Sequence, residues 1–262
     1  MLPYIHIFGK SIPMYGICFY IGAGLACIWL KLTEKKNDFN QGNVELTLIY
    51  SGIGALIGSK LLFLATVFQE FKSQLGLLFT ETELFLQVYF YSGFVFYGGF
   101  IGAMVCGVAY CIKNRLDIGE MTRCLLPVLP LIHGFGRIGC FCAGCCYGVE
   151  SDHFGIAFTD SEVAPNGVPL LPVQLGDAAA EFILFFVLLY MKRKPGNGPK
   201  MAVVWLVSYG TVRFILEFFR GDSYRGFVGG LSIGQLISMA LVAVGIGLAI
   251  FDTFRRRNRA CI

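Results

Sequence analysis

Hydrophobic residues along this chain come in long blocks separated by short polar, basic or glycine- and proline-bearing breaks, with no tandem repeat and no low-complexity tract. A membrane-crossing helix needs ~20 mostly apolar residues. Blocks of that kind run roughly over 14–31, 44–68, 92–112, 119–141, 173–191, 201–219 and 231–252. The pattern predicts an all-α, polytopic membrane protein of about seven transmembrane helices. The fourth block is irregular, with Pro127, Pro130 and a dense run of glycines. A broken helix at membrane depth is tolerated only where protein or a cavity covers the freed backbone groups. Two stretches, about 70–90 and 147–172, are polar enough to lie outside the bilayer as loops or a small head. Pro195, Gly196, Gly198 and Pro199 mark 192–200 as a tight turn. The whole of 1–262 is expected to form one transmembrane domain, with its extracytoplasmic head at about 147–172.

Basic residues orient these helices. They cluster at Lys31, Lys35 and Lys36, at Lys113 and Arg115, at Lys192, Arg193, Lys194 and Lys200, and at Arg255, Arg256, Arg257 and Arg259, after the first, third, fifth and seventh blocks. Positive charge marks cytoplasmic loops, so the N-terminus is expected outside and the C-terminus in the cytoplasm. The odd number of spans requires the same. Met1 to Pro13 has neither a basic leader region nor a small-residue cleavage site and reads as a retained segment, with Tyr4, Ile5, Ile7 and Phe8 suited to the bilayer interface.

Composition excludes a soluble alternative: 56% of the 262 residues are hydrophobic, only 15% are charged, and mean hydropathy is +0.67. The net charge of +4 matters through its distribution and gives no reason to expect a nucleic-acid partner. Of the ten cysteines, Cys18, Cys27, Cys106, Cys111 and Cys124 sit singly in apolar runs and behave as small hydrophobes. Only Cys140, Cys142, Cys145 and Cys146 call for a separate account. Their spacing supplies enough thiolates for zinc or an iron–sulfur cluster, but a metal site usually draws on separated ligand pairs, and His153 is the only further ligand close by. A disulfide or close packing suits them better, so no metal and no cofactor are expected.

Ionisable residues inside apolar blocks are functional candidates, because an unpaired guanidinium near hydrocarbon costs at least ~2.5 kcal/mol. Lys60, Arg137, Arg213 and Arg220 fall within or at the outer ends of the blocks, with Arg225 just beyond. Each alone suits a snorkelling side chain; together they suit a shared pocket for an anion such as a phosphate. Glu217, one turn after Arg213, suits an internal ion-pair partner better than a catalytic group. Gly98, Gly99 and Gly102 either let a lipid headgroup approach the backbone at a helix start or pack helices closely. His133, one turn before Arg137, suits a hydrogen-bonded residue more than a base.

Several of these residues fall in motifs that resemble one family, the prolipoprotein diacylglyceryl transferases of bacterial inner membranes. Met14-Tyr15-Gly16 resembles the aromatic-Tyr-Gly of its first helix, Gly58-Ser59-Lys60 its Gly-small-Arg, and Tyr97-Gly98-Gly99-Phe-Ile-Gly102 its His-Gly-Gly-Leu-Ile-Gly. Gly136-Arg137-Ile-Gly139-x-Phe141 resembles the core of its signature, and Pro172-Val-Gln174-Leu its Pro-x-Gln-Leu. Tyr209-Gly210, Arg213-Phe, Glu217-Phe-Phe-Arg220 and Ser232-x-Gly234-Gln235 resemble its last two helices.

The resemblance implies a multi-pass enzyme of the bacterial plasma membrane that moves the diacylglyceryl group of phosphatidylglycerol to the thiol of a prolipoprotein lipobox cysteine. It implies Arg137 and Arg220 on the phosphate; Tyr97 is then expected to orient the phosphate by its hydroxyl, and the thiol to lose its proton to the arginine field or to His133, which completes the catalytic set. Tyr15, Lys60, Gly98, Gly99, Gly136, Gly139, Gln174, Arg213 and Glu217 would shape the substrate site. The chain departs from the pattern at Tyr97, where the family has histidine. A phenol of pKa about 10 is a poorer base than an imidazole of about 6.5. It departs also at Cys140, Ala143 and Cys145 for Asn, Asn and Glu, at Lys60 for arginine, and at Gly176-Asp177 for Tyr-Glu. Two other readings follow from the departures: a thiol oxidoreductase using Cys140 to Cys146, and a lipid-binding or transport paralogue without catalysis.

Overall fold

With no water to satisfy its peptide groups, an apolar block in a bilayer has to close its hydrogen bonds within itself, and it does so as an α-helix. The computed structural model describes residues 3–7, 10–34, 41–91, 93, 95–222 and 226–260. Lys35, Lys36 and Arg225, together with the side chains of Phe8 and Arg255 to Arg259, lie outside that description. In chain order the first elements are β1 (Tyr4–Ile7), β2 (Lys10–Pro13), α1 (Met14–Glu34), α2 (Gln41–Thr66), α3 (Phe68–Ser73), α4 (Leu77–Thr80) and α5 (Thr82–Leu86). A π-helical turn follows at Gln87–Tyr91, then α6 (Phe96–Lys113), α7 (Ile118–Leu125) and α8 (Val128–Ala143). The remainder is β3 (Ile156–Ala157), β4 (Pro169–Leu170), α9 (Val173–Lys192), α10 (Gly198–Glu217), β5 (Phe227–Val228), β6 (Leu231–Ser232) and α11 (Ile233–Ala260).

The protein is a helical, polytopic membrane protein. Five described segments are long and apolar enough to cross a bilayer: Met14–Thr33, Gly42–Thr66, Ile118–Ala143, Val173–Lys192 and Ile233–Phe254. Tyr97–Lys113 is apolar but shorter, and α10 carries Lys200, Arg213 and Glu217. The fourth block breaks where its prolines require. α7 stops at Leu125, and α8 begins after Pro127 with Pro130 in its first turn, where a missing N–H leaves no helical bond unmade.

Two compact units emerge, residues 38–121 and the remainder of the chain. In the first, α2 packs on α6. Glycines make this crossing possible: a Cβ on Gly98 would run into the Gly58 carbonyl, and one on Gly102 into the Gly54 carbonyl. Gly98 and Gly102 thus belong to a small-xxx-small seam. The stretch 70–90, expected outside the bilayer as loops or a small head, is wound into short helices. Phe71, Phe85 and Tyr89 pack ring against ring, and the Tyr89 hydroxyl donates to Gln74 Oε1 at 2.8 Å, so its aromatic residues build a small core that its polar composition hides.

In the larger unit, α8 lies between α1 and α9, and α10 between α9 and α11. The N-terminal segment is an antiparallel hairpin with Tyr4 opposite Pro13. Lys192, placed with the basic turn by sequence, is only 5% exposed. Its ammonium lies 4.2 Å from the centre of the Trp29 ring and its carbonyl accepts from Arg123 Nη1 at 2.8 Å. Residues 147–172 carry the β3–β4 pair and a core of Phe158, Ala164 and Leu170 backed by Phe141 and Tyr147.

The α2–α6 seam predicts that Gly98→Leu destabilises the detergent-purified protein by about 1–3 kcal/mol, because a backbone carbonyl cannot give way. Gly24→Leu, which meets nothing within 4 Å, should leave it unchanged. Thermal denaturation followed by size-exclusion fluorescence checks both.

Candidate active site

α8, α9 and α10 each carry ionisable residues one or two turns apart on the faces that meet. On α9, Gln174, Asp177 and Glu181 share a stripe by their spacing, and all three are buried. Asp177, 2% exposed, is the hinge of the site. Its Oδ2 lies 2.9 Å from Arg137 Nε on α8 and 3.9 Å from Arg213 Nη1 on α10. Arg213 Nη2 reaches Glu217 Oε2 at 2.8 Å, and Arg220 Nη1 lies 3.5 Å from the same oxygen. Arg220 is held mainly by Asp222, which accepts Nε on Oδ1 at 2.9 Å and Nη2 on Oδ2. Arg137, Arg213 and Arg220 are linked through carboxylates as three cations among three anions, while Lys60, expected in the same anion pocket, belongs to the 38–121 unit. Arg137 faces Asp177 through Nε at ion-pair distance, although that atom makes no hydrogen bond among the described residues.

Glu217 is fixed from its other side by the start of α11. Ser232 Oγ donates to Glu217 Oε1 at 3.0 Å, while the Ser232 amide donates to Gln235 Oε1 at 2.9 Å and the Gln235 amide to Ser232 Oγ at 3.1 Å. This is a capping box. Gly234 lets the Glu217 carboxylate approach, since a Cβ there would meet it at 3.0 Å.

Beyond Arg137 the chain makes a tight reversal. Gly144 (φ 75°) caps α8 with its own amide on Phe141 O at 3.2 Å and the Cys145 amide on Cys140 O at 3.1 Å. That is a Schellman closure. Cys146 then takes a left-handed φ of 58°, uncommon for a residue with a side chain. The two left-handed positions fold Cys145 and Cys146 back over Cys140, bringing the three Sγ atoms within 4.8 Å of one another. Gln174 Nε2 holds the Cys145 carbonyl at 2.9 Å, and Gly148 pairs with Arg220. Cys142 is not in this group; its thiol meets Cys18 on α1.

Hydrogen bonds from the Cys140 and Cys145 thiols hold the Cys146 thiol well below the ordinary thiol range against the opposing effect of burial, and the Arg220 and Arg137 guanidinium groups add to this. The same bonds, with Cys140 first, push Cys145 up. Burial pulls Arg220 down, but its hydrogen bonds to Asp222 and the nearby Cys146 and Glu217 outweigh that and leave it raised.

The other expected residues have definite places. Tyr15 lies on α1 within electrostatic reach of Arg137 and the cysteines. Gly139 permits that approach, since a Cβ there would come within 3.0 Å of the Tyr15 Cα; nothing lies within 4 Å of a Cβ on Gly136. His133 Nδ1 is hydrogen-bonded to Glu181 Oε1 with its ring edge on Tyr209. Lys60 donates to the carbonyls of Tyr89 at 3.0 Å and Gly93 at 3.2 Å. Lys60, Tyr97, Gly98 and Gly99 belong to the 38–121 unit, where Tyr97 is 37% exposed in the first turn of α6 and a Cβ on Gly99 would come within 3.2 Å of the Ala55 carbonyl.

Sequence reasoning fixes on the cations and misses Asp177, Glu181 and Asp222. The signal was available: an acidic residue inside an apolar block is as costly as a basic one, and α9 carries two. The Ser232-x-x-Gln235 spacing likewise announces a capping box.

A family model described as prolipoprotein diacylglyceryl transferase matches residues 3–251. The chain is 34% identical over 252 residues to a phosphatidylglycerol–prolipoprotein diacylglyceryl transferase of Clostridium tetani, covering 96% of this chain and 97% of that one. It is 36% identical over 256 residues to phosphatidylglycerol–prolipoprotein diacylglyceryl transferase 2 of Clostridium perfringens, with 96% and 95% covered. To the transferase of Idiomarina loihiensis it is 29% identical over 254 residues, with 94% and 90% covered.

Removing the hinge should be severe. Asp177→Ala leaves Arg137 and Arg213 short of a buried counter-charge, with an expected loss of about 3–5 kcal/mol. Ser232→Ala removes a helix cap and should cost about 1 kcal/mol. Denaturation midpoints in detergent separate the two.

Proposed function

We propose, because the chain belongs to the prolipoprotein diacylglyceryl transferase family, that it transfers the diacylglyceryl group of phosphatidylglycerol to the thiol of the lipobox cysteine of prolipoproteins, releasing glycerol phosphate. Its partners are thus a bilayer phospholipid and a prolipoprotein. The observation that carries this reading at the level of residues is Arg137, an arginine in an apolar helix with only 14% of its side chain exposed, set by an ion pair from Nε to Asp177 Oδ2. Family membership favours the transferase over the thiol oxidoreductase and the non-catalytic paralogue.

The chemistry asks for two things. The phosphate of the lipid is the leaving group, and fixed guanidinium groups stabilise the charge that develops on it. Arg137 takes that role, with Arg220 beside it, braced by Asp222. Gln174 Oε1, Asp177 Oδ1 and Glu181 Oε2 are buried acceptors with no hydrogen-bond partner among the described residues, and they suit the hydroxyl groups of a glycerol headgroup. Arg213 and Glu217 hold the far side of the cluster, Tyr15 lines the lipid entrance, Gly136 and Gly139 keep α8 slim beside it, and His133 is oriented by Glu181. Within their own unit Lys60, Tyr97 and Gly99 contribute to substrate binding, while Gly98 serves the α2–α6 packing. The second requirement is that the acceptor thiol become a thiolate.

The chain crosses the bacterial inner membrane seven times as one transmembrane domain, with its N-terminus outside, its C-terminus in the cytoplasm and 147–172 as an extracytoplasmic head. The placement of basic residues after alternate helices supports this orientation.

Transfer of labelled glycerolipid from phosphatidylglycerol to a lipobox peptide tests the reading. Label should appear on a cysteine peptide and not on its serine counterpart, and Arg137→Ala should lower the rate about 10²–10³-fold. An undiminished rate in Arg137→Ala would remove the arginine from the mechanism; absence of transfer by the intact protein would overturn the function.

A further inference from the structure

We propose that Cys140, Cys145 and Cys146 form a three-thiolate zinc site whose fourth position receives the thiol of the acceptor cysteine. The three Sγ atoms already lie within 4.8 Å of one another. Around a tetrahedral zinc with Zn–S of about 2.3 Å, ligand sulfurs stand about 3.8 Å apart, so small side-chain rotations close the site.

The backbone, more than the side-chain rotamers, sets this proximity. The Schellman closure at Gly144, the left-handed Cys146 and the Gln174 clamp on the Cys145 carbonyl hold the three cysteines on one face of a single reversal. The fourth cysteine of the run cannot complete a closed structural site, because Cys142 faces Cys18 on α1. Three protein ligands with an open position is the arrangement of catalytic zinc. The ligand set is soft, which selects zinc over magnesium or calcium. Three thiolates on a dication carry a net charge of about −1, and the guanidinium groups of Arg137 and Arg220, both within electrostatic reach of Cys146, complement it.

The site also meets the unfilled requirement of the transfer reaction, and this half of the proposal rests on the transferase reading. A thiol that coordinates zinc gives up its proton, here to solvent. The bound sulfur then attacks the terminal glycerol carbon of the diacylglyceryl group. An S–C bond forms, the C–O bond to phosphorus breaks, and its electron pair leaves with glycerol phosphate beside Arg137. Nothing is oxidised or reduced. The thioether product is a weaker ligand than a thiolate, so the acceptor can depart.

The test uses the full chain purified in detergent under reducing conditions. Elemental analysis should find about one zinc per chain, falling at least five-fold in Cys145→Ser and in Cys146→Ser and unchanged in Cys142→Ser, with size-exclusion profiles showing that the variants fold. Cobalt exchanged into the wild-type protein should give the absorption of a tetrahedral thiolate complex, shifted by a lipobox cysteine peptide and not by the serine peptide. Protein that holds no zinc even after reconstitution, that holds iron or copper instead, or that keeps zinc in Cys145→Ser overturns the site. A cobalt spectrum indifferent to the cysteine peptide overturns the acceptor's place on it. Undiminished lipid transfer by zinc-free protein would leave the transferase reading standing and remove zinc from it, whereas bound zinc without any lipid transfer would do the reverse.

Discussion

The carboxylate of Asp177 is the interaction on which the larger unit depends. Two arginines on two different helices reach it, and without it Arg137 loses its carboxylate while Arg213 keeps only Glu217. Because α8, α9 and α10 are each tied to that one group, the helices are set in register by charge as much as by packing. The cysteine reversal and the α11 cap are then built outward from the same frame, one through Gln174 on α9 and the other through Glu217 on α10.

The cluster is neutral in sum, and that matters for binding. An arginine already ion-paired has lost most of its hydration before any ligand arrives, so an anion that bound there would meet donors held in place instead of mobile ones. The arrangement resembles an oxyanion site more than an ion-exchange patch, with the carboxylates setting the aim of the guanidinium groups.

Much of the helical layout was legible in the block lengths, because the bilayer imposes one solution on a long apolar stretch. The break before Pro130 was legible for the same reason. What composition hid was the helical character of 70–90, where Phe71, Phe85 and Tyr89 make a core too small to register against their polar neighbours. The arginines of the site could be found from sequence because each is anomalous alone. Asp177 could not be assigned its role, since bridging two helices is a property of the packing, and the meeting of Cys140 with Cys145 and Cys146 depends on two left-handed backbone positions, one of them at a residue whose type gives no notice of it. Gly98 shows the opposite case, where one motif supported two roles and the crossing helix decided that packing accounts for it.

Lys60 stands where the family pattern has arginine, and its surroundings explain what that difference entails. The π-turn at Gln87–Tyr91 and the Gly93 bend present carbonyl oxygens from two directions. An ammonium, whose three donors can rotate to suit, meets both; the flat fork of a guanidinium is shaped for the two oxygens of one carboxylate or phosphate. The side chain and the wound segment opposite it are therefore joined as one local unit. Replacing the lysine by arginine would ask a rigid planar fork to meet two carbonyls that a rotating ammonium now serves.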